Sequence, residues 1–261
     1  MKRHLVLMAS GALVAAPALA EDVTFLCYQD GNECEVIEEL SAAFTQETGH
    51  TVAVNTVAYD IIRDQLENQL AGAEAPDVAR VTNLGGLNQY YLDLSPYVDT
   101  AAWETNYGAT LPWFRKADGS AAQAVYGWMT QLTVTGPYVN VTHFEDAGVD
   151  MPGEGATWDE WAAALMEVKD ALGFGGLAMD RTAHRWAGPA FSYGAAFYND
   201  DGSYIIVDEG FKAYAETFKG WHESGLMPQE GWPAGADTEY RNAAPLFTSQ
   251  AVTMHMSGSW M

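Results

Sequence analysis

An α/β fold, with mainly parallel sheets flanked by helices, is what this sequence predicts. Three observations lead there. Short apolar, β-branched runs alternate with amphipathic helical stripes, glycines mark many of the changeovers, and 48% of the residues are hydrophobic.

The alternation begins with an apolar strand at 23–27 and a turn at 28–32. Val36, Ile37, Leu40, Ala43 and Phe44 then recur at helical spacing, which predicts a helix over 33–47 stopped by Gly49. A second strand follows at 51–57. Ile62, Leu66 and Leu70 mark a helix that ends before Gly72, and 77–81 reads as a third short strand. Gly85 and Gly86 precede a short helix at 87–91. In such sheets ligands sit beyond the carboxyl ends of the strands, so the loops after Cys27 and Val81 should border any site.

The middle of the chain is different. Residues 125–139 form a long β-rich segment without helical periodicity, and 141–147 reads as a helix. Thr157 and Glu160 make a capping box for a helix whose stripe is Trp158, Trp161, Leu165 and Val168. A strand at 174–179, a Gly/Ala-rich helix around 187–196 and a hairpin turn at 199–203 come next. Asp208 caps a helix with Phe211, Tyr214, Phe218 and Trp221 on one face, closed by Gly225. A helix at 238–248 leads to a strand at 251–256, after which the sequence stops at Met261. Chain ends usually lie in polar surface segments, so the sequence predicts a fold that continues past this point.

Lys2, Arg3 and His4 precede an apolar run over 5–16, then Pro17 and the small-residue triplet Ala18, Leu19, Ala20. This is the pattern of a cleavable secretory signal peptide over 1–20, with Glu21 as the first mature residue. The run is shorter than the roughly 20 apolar residues that span a bilayer. The first cysteine, Cys27, is not at the cleavage site, so a free periplasmic protein is expected rather than a lipid-anchored one. In that oxidising compartment Cys27 and Cys34 are expected to form a disulfide, which would contribute about 2.5 kcal/mol by the chain-entropy argument. The alternative is two buried free thiols. Metal binding is disfavoured, because the cysteines lack the close spacing of a zinc knuckle and the six histidines are scattered.

Removal of the leader leaves ten basic residues against 35 acidic ones. Nucleic acid and anionic membrane surfaces are poor partners for such a chain. Nine Trp, 13 Tyr and 10 Phe give ample material for packed cores and exclude disorder.

A set of segments in fixed order carries a family resemblance: FTQETGHTVAV (44–54), PDVAR (76–80), LDLSPYV (92–98), YGWMTQLTVTGPYVN (126–140), HFEDAGVDMPGEGATWDEW (143–161) and LFTSQAVTMHMSGSW (246–260). Together they resemble extracellular solute-binding proteins of carbohydrate ABC importers, the maltose-binding-protein-like class. The resemblance covers essentially the whole mature chain. It implies a two-lobed periplasmic binding protein fold with its C-terminal part missing: lobe 1 over 21–130, lobe 2 over 131–256, and 257–261 as the start of a return crossing. It also implies a monomeric, non-enzymatic protein that needs no cofactor, captures a carbohydrate-like ligand between lobes and hands it to the permease subunits of the importer.

Sugars are held by flat aromatic faces and by planar polar side chains that engage paired hydroxyls. Residues of those types at strand ends are Gln29, Asp30, Asn32, Arg80 and Asn83 in lobe 1, and Met129 and Gln131 at the crossing. In lobe 2 they are Asp180, Arg181, His184, Trp186, Trp232 and Trp260. Each has a structural alternative. Asp30 and Asn32 suit a turn, Arg80 and Arg181 suit pairing with structural carboxylates, and His184 suits a helix start. Trp260 suits hinge packing as well as stacking, whereas Trp158 and Trp161 are assigned to the core. A periplasmic glycan-active hydrolase is the competing function. Its motifs are incomplete: Ala190 stands where a nucleophile elbow needs glycine, and Leu226 and Met227 follow His222 and Glu223 where a zinc protease needs histidine.

Overall fold

The computed structural model describes residues 21–82, 86–115, 124–232 and 241–261. The predicted signal peptide, Asn83 and the first turn of the helix expected at 238–248 lie outside these. The described residues form two compact units that divide between Thr130 and Gln131.

The first unit is built on β1 (Asp22–Tyr28), α1 (Glu33–Thr48), β2 (Thr51–Val57), α2 (Tyr59–Ala71) and β3 (Val78–Ala79). Its sheet has the order β2-β1-β3 and is wholly parallel, with Asp22 opposite Thr51, Tyr28 opposite Val57 and Phe25 opposite Val78. Leu26 and Tyr28 from β1, Ile62 and Leu66 from α2, and Leu87 form the core. Strand β3 is shorter than expected because the Asp77 carboxylate, at 2.8 Å, takes the amide of Thr24 that a longer ladder would use. Helix α1 ends on Gly49 at φ 79°, in the left-handed region that glycine enters freely. Its apolar stripe foretold a helix but not burial: Val36, Leu40 and Phe44 are largely exposed, and Cys34 is its one buried residue.

Beyond β3, the helix expected at 87–91 is a single 3-10 turn, Asn88–Tyr90, and α3 spans Thr100–Tyr107. Residues 124–134 join no sheet. Leu94 N donates to Val125 O, Tyr126 N to Phe114 O and Ser259 N to Val134 O, while Val125 is buried against Leu111 and Phe114. The strand proper starts only at Thr135, and the β-branched residues just before it are exposed, Val134 among them.

The second unit contains β4 (Thr135–Val139), α4 (Val141–Ala147), α5 (Trp158–Leu172), β5 (Leu177–Met179), α6 (Ala183–Ser192), α7 (Glu209–Glu223), α8 (Ala244–Thr248) and β6 (Met254–Gly258). Its sheet runs β4-β6-β5, with β5 parallel to β6 and β4 antiparallel to it. The central strand β6 is buried along its whole length. Phe144, Leu165, Val168, Met179, Tyr214, Trp221, Met227 and Met254 contribute to the core beneath it.

Local sequence signals account for most helix limits here. Glu160 N donates to Thr157 Oγ1 at 3.2 Å and Thr157 N donates to Glu160 Oε2 at 2.7 Å, closing the capping box of α5. Asp208 accepts the amide of Phe211 at 2.6 Å and starts α7. Helix α6 begins earlier than the Gly/Ala pattern suggested, because Thr182 Oγ1 accepts the amide of Arg185. Helix α8 is shorter than expected: Pro245 sits in its first turn, and Arg241 instead pairs its backbone with Arg181.

Two buried features tie this unit together. Gly176 has φ 109°, and a Cβ there would overlap the carbonyl oxygen of Leu226, which accepts the amide of Leu177. Asp180, with no exposed surface, accepts from Ala243 N at 2.9 Å and from Ser257 Oγ at 2.6 Å, and lies 2.9 Å from His255 Nε2. Burial by itself would raise its pKa. The hydrogen bonds from His255, Ser257 and Ala243 outweigh that effect and hold the carboxyl below its ordinary 3.8.

Gly176→Ala is expected to cost more than about 2 kcal/mol, from strained φ and backbone overlap together, read as a lowered urea midpoint for unfolding. A depressed carboxyl pKa stabilises the fold above 3.8 and ceases to do so as pH falls through the lower folded value. Thermal scans should therefore show the melting temperature dropping below pH 4. Asp180→Asn should flatten that drop while costing about 2 kcal/mol at neutral pH.

Candidate functional site

In the first unit, the loops after β1 and β3 leave the same edge of the parallel sheet, which brings Asp30 and Arg80 together. Arg80 is buried and is held from several sides. Its amide donates to Leu26 O at 2.9 Å, extending the β1–β3 pairing. Its Nη1 donates to Tyr28 O at 3.0 Å, and its Nη2 lies 3.3 Å from Asp30 Oδ2 and 3.5 Å from Glu33 Oε1. The guanidinium carbon stands 3.9 Å from the centroid of the Tyr28 ring. Burial pushes the Tyr28 phenol up to about 12 despite the opposing pull of the Arg80 charge. The other oxygen of Glu33, Oε2, is enclosed and finds no hydrogen-bond partner among the described residues.

The turn itself is fixed by three further contacts. Gln29 N donates to Val57 O at 2.8 Å, Gly31 turns the chain at φ 62°, and Cys27 is disulfide-bonded to Cys34. Gln29 and Asn32 are exposed, with Asp30 half-buried between them. Asn32 precedes α1 without capping it through its side chain. Met129 packs against the Leu111, Phe114 and Val125 cluster, away from the β1–α1 turn. Beside it lies an aromatic group that sequence reading did not select: Trp128 is 4.2 Å from Trp103 and 4.3 Å from Tyr107, ring to ring. The signal was the indole directly before Met129.

In the second unit, the carboxyl ends of β5 and β6 share an edge because the two strands are parallel. Arg181, His184, Arg185 and Trp260 gather there. Arg181 exchanges backbone hydrogen bonds with Arg241. His184 Nδ1 is 3.0 Å from Thr182 Oγ1, and its pKa is lowered by desolvation and by the neighbouring Arg185 charge. Arg185, only 2% exposed, donates through Nη1 to Thr135 Oγ1 and lies over the Trp260 ring, 4.4 Å from its centroid. The indole reaches that position because residue 258 is glycine: a Cβ there would overlap the ring. Asp180 sits beneath this edge, fully enclosed by the bonds described above.

The remaining candidates lie elsewhere. Trp186 is in the aromatic seam of α7, 4.6 Å from Phe211 and 4.7 Å from Tyr214 between ring centroids. Trp232 joins the same seam at 5.2 Å from Phe218. Gln131 is exposed at the start of the second unit. Among the described residues there is no group of three His, Cys, Asp or Glu side chains placed to hold a metal ion.

Comparison with known proteins gives a consistent picture. The bacterial extracellular solute-binding protein family matches residues 33–261. Comparison with curated protein sequences finds no match. Among solved structures, an ABC substrate-binding protein of Listeria monocytogenes in complex with cycloalternan is 20% identical, with a TM-score of 0.74 over 92% of this chain and 62% of its own. The GacH receptor of Streptomyces glaucescens, solved with acarbose, is 19% identical, with a TM-score of 0.73 over 93% and 61%. A maltotriose binding protein of Thermus thermophilus, bound with maltotriose, is 18% identical, with a TM-score of 0.69 over 91% and 62%. The chain thus spans about three fifths of the length of these proteins and shares their α/β fold. With that fold in common and the family matched from the start of α1 to the last residue, the chain belongs to the bacterial extracellular solute-binding proteins.

Proposed function

We propose that this protein is the substrate-binding component of an ABC importer, capturing a sugar or sugar-like polar solute and delivering it to the membrane permease. The observation that carries the reading is the chemistry of the two strand edges within a solute-binding family. Planar polar groups and an indole face stand where α/β sheets take their ligands. The solved relatives named above hold cycloalternan, acarbose and maltotriose, which supports a carbohydrate-like ligand. The family is one of binding proteins, which favours capture over hydrolysis.

In this reading 21–130 and 131–256 are the two lobes, and 257–261 begins the return crossing. Ligand enters between the lobes and stabilises the closed arrangement through contacts with both. The candidate ligand contacts in this reading are Gln29, Asp30, Asn32 and Asn83 from the first lobe, with Met129 and Gln131 from the crossing. From the second the candidates are Arg181, His184 and Trp260, whereas Trp186 and Trp232 belong to the aromatic seam of α7. The protein is exported by its signal peptide, works in the periplasm as a monomer, and needs neither cofactor nor metal. Its acidity, 35 acidic residues against ten basic ones after the leader is removed, keeps it off nucleic acid and anionic lipid.

The test is a calorimetric and thermal-shift screen over mono- and oligosaccharides, polyols and related osmolytes. At least one of these should bind and raise the melting temperature without being consumed, and Trp260→Ala should weaken that ligand about tenfold. Silence across the panel, or turnover of a glycoside, would overturn the proposal.

A further inference from the structure

We infer that Arg80 is a positioning residue: it acts on bound ligand through the β1–α1 turn, by presenting Asp30 in a fixed orientation. The inference rests on the binding role proposed above and assigns one residue a distinct task within it. Sequence reasoning offered two roles for Arg80, ligand contact or pairing with structural carboxylates. The geometry joins them in a third.

Both terminal nitrogens of the guanidinium point back into the turn. Nη1 holds Tyr28 O, the last carbonyl of β1, and Nη2 reaches Asp30 Oδ2 and Glu33 Oε1. One planar group therefore fixes the start, middle and end of the six-residue connection from Tyr28 to Glu33. The Tyr28 ring backs its face, so the fork cannot rotate without losing the stack. Arg80 itself is anchored at its amide to Leu26 O, on the strand that carries the turn. The disulfide restrains the same stretch from the opposite direction, tying the end of β1 to the first turn of α1.

Covalent closure fixes the length of the turn, but it does not orient Asp30. That carboxylate has two oxygens, and Arg80 engages Oδ2. A side chain held in one rotamer before ligand arrives loses less entropy on binding, which is how preorganisation raises affinity without adding a contact. Lysine cannot reproduce this arrangement, because its single ammonium cannot fork across two carboxylates and a carbonyl while lying flat on a ring.

Two measurements separate this role from direct ligand contact and from general support of the fold. The first needs no ligand. Amide hydrogen exchange in Arg80→Met should accelerate at residues 29–33 while β1, β2 and α2 keep their protection, and Arg80→Lys should fall between the two. The second is a double-substitution cycle with maltotriose as probe. Arg80→Met and Asp30→Asn should each weaken binding about tenfold, and together scarcely more than either alone, because they break one unit. Unchanged exchange at 29–33 would overturn the inference. So would exchange accelerating throughout the first unit, or affinity losses that multiply. If maltotriose fails to bind the unaltered protein, the exchange experiment still decides the role of Arg80, and the carbohydrate reading is judged separately by the wider screen.

Discussion

Each unit is organised around a single strand that is hydrogen-bonded along both edges, β1 in the first and β6 in the second. A buried backbone must satisfy every amide and carbonyl, and a central strand does so only by drawing partners to both sides. That demand sets the directions of the neighbouring strands, and hence which loops emerge at a common edge. Asp30 and Arg80 meet because β1 and β3 run the same way. Arg181 and Trp260 follow strands that end on the same side because β5 and β6 run the same way.

Among the described residues arginine is buried twice, and in both places an aromatic ring lies against the guanidinium. Arg80 has two carboxylates, a carbonyl and a tyrosine face; Arg185 has a threonine hydroxyl and an indole face. A guanidinium is less strongly hydrated than an ammonium and presents two flat surfaces, so it tolerates an aromatic lid that a lysine would not fit. Ring and fork then limit each other's motion.

Features encoded within a few residues were legible in the sequence. The Thr157–Glu160 box, the Asp208 cap, the glycine stop at Gly49 and the 199–203 turn all depend on neighbours close in the chain, and the composition around each states the chemistry directly. What depended on distant partners was not. The antiparallel placement of β4 follows from its pairing with β6, more than a hundred residues away. Residues 124–134 have strand composition but make only scattered backbone bonds, to Leu94, Phe114 and Ser259, where a ladder was expected. Sequence reasoning named Asp180 and Arg80 as candidates by residue type and strand position, yet their surroundings came from Ala243, His255 and Ser257 in one case and from Glu33 and the Tyr28 ring in the other. A single sequence gives no spacing rule linking such positions.

The seat of Trp260 is defined by an atom that is not there. Because residue 258 has no side chain, the indole folds back over its own strand and meets Arg185; one added methyl would overlap the ring. Position 258 is thus a remote handle on the aromatic surface. It allows the stacking platform to be withdrawn without altering the platform residue itself, and so separates the orientation of an aromatic ring from its mere presence.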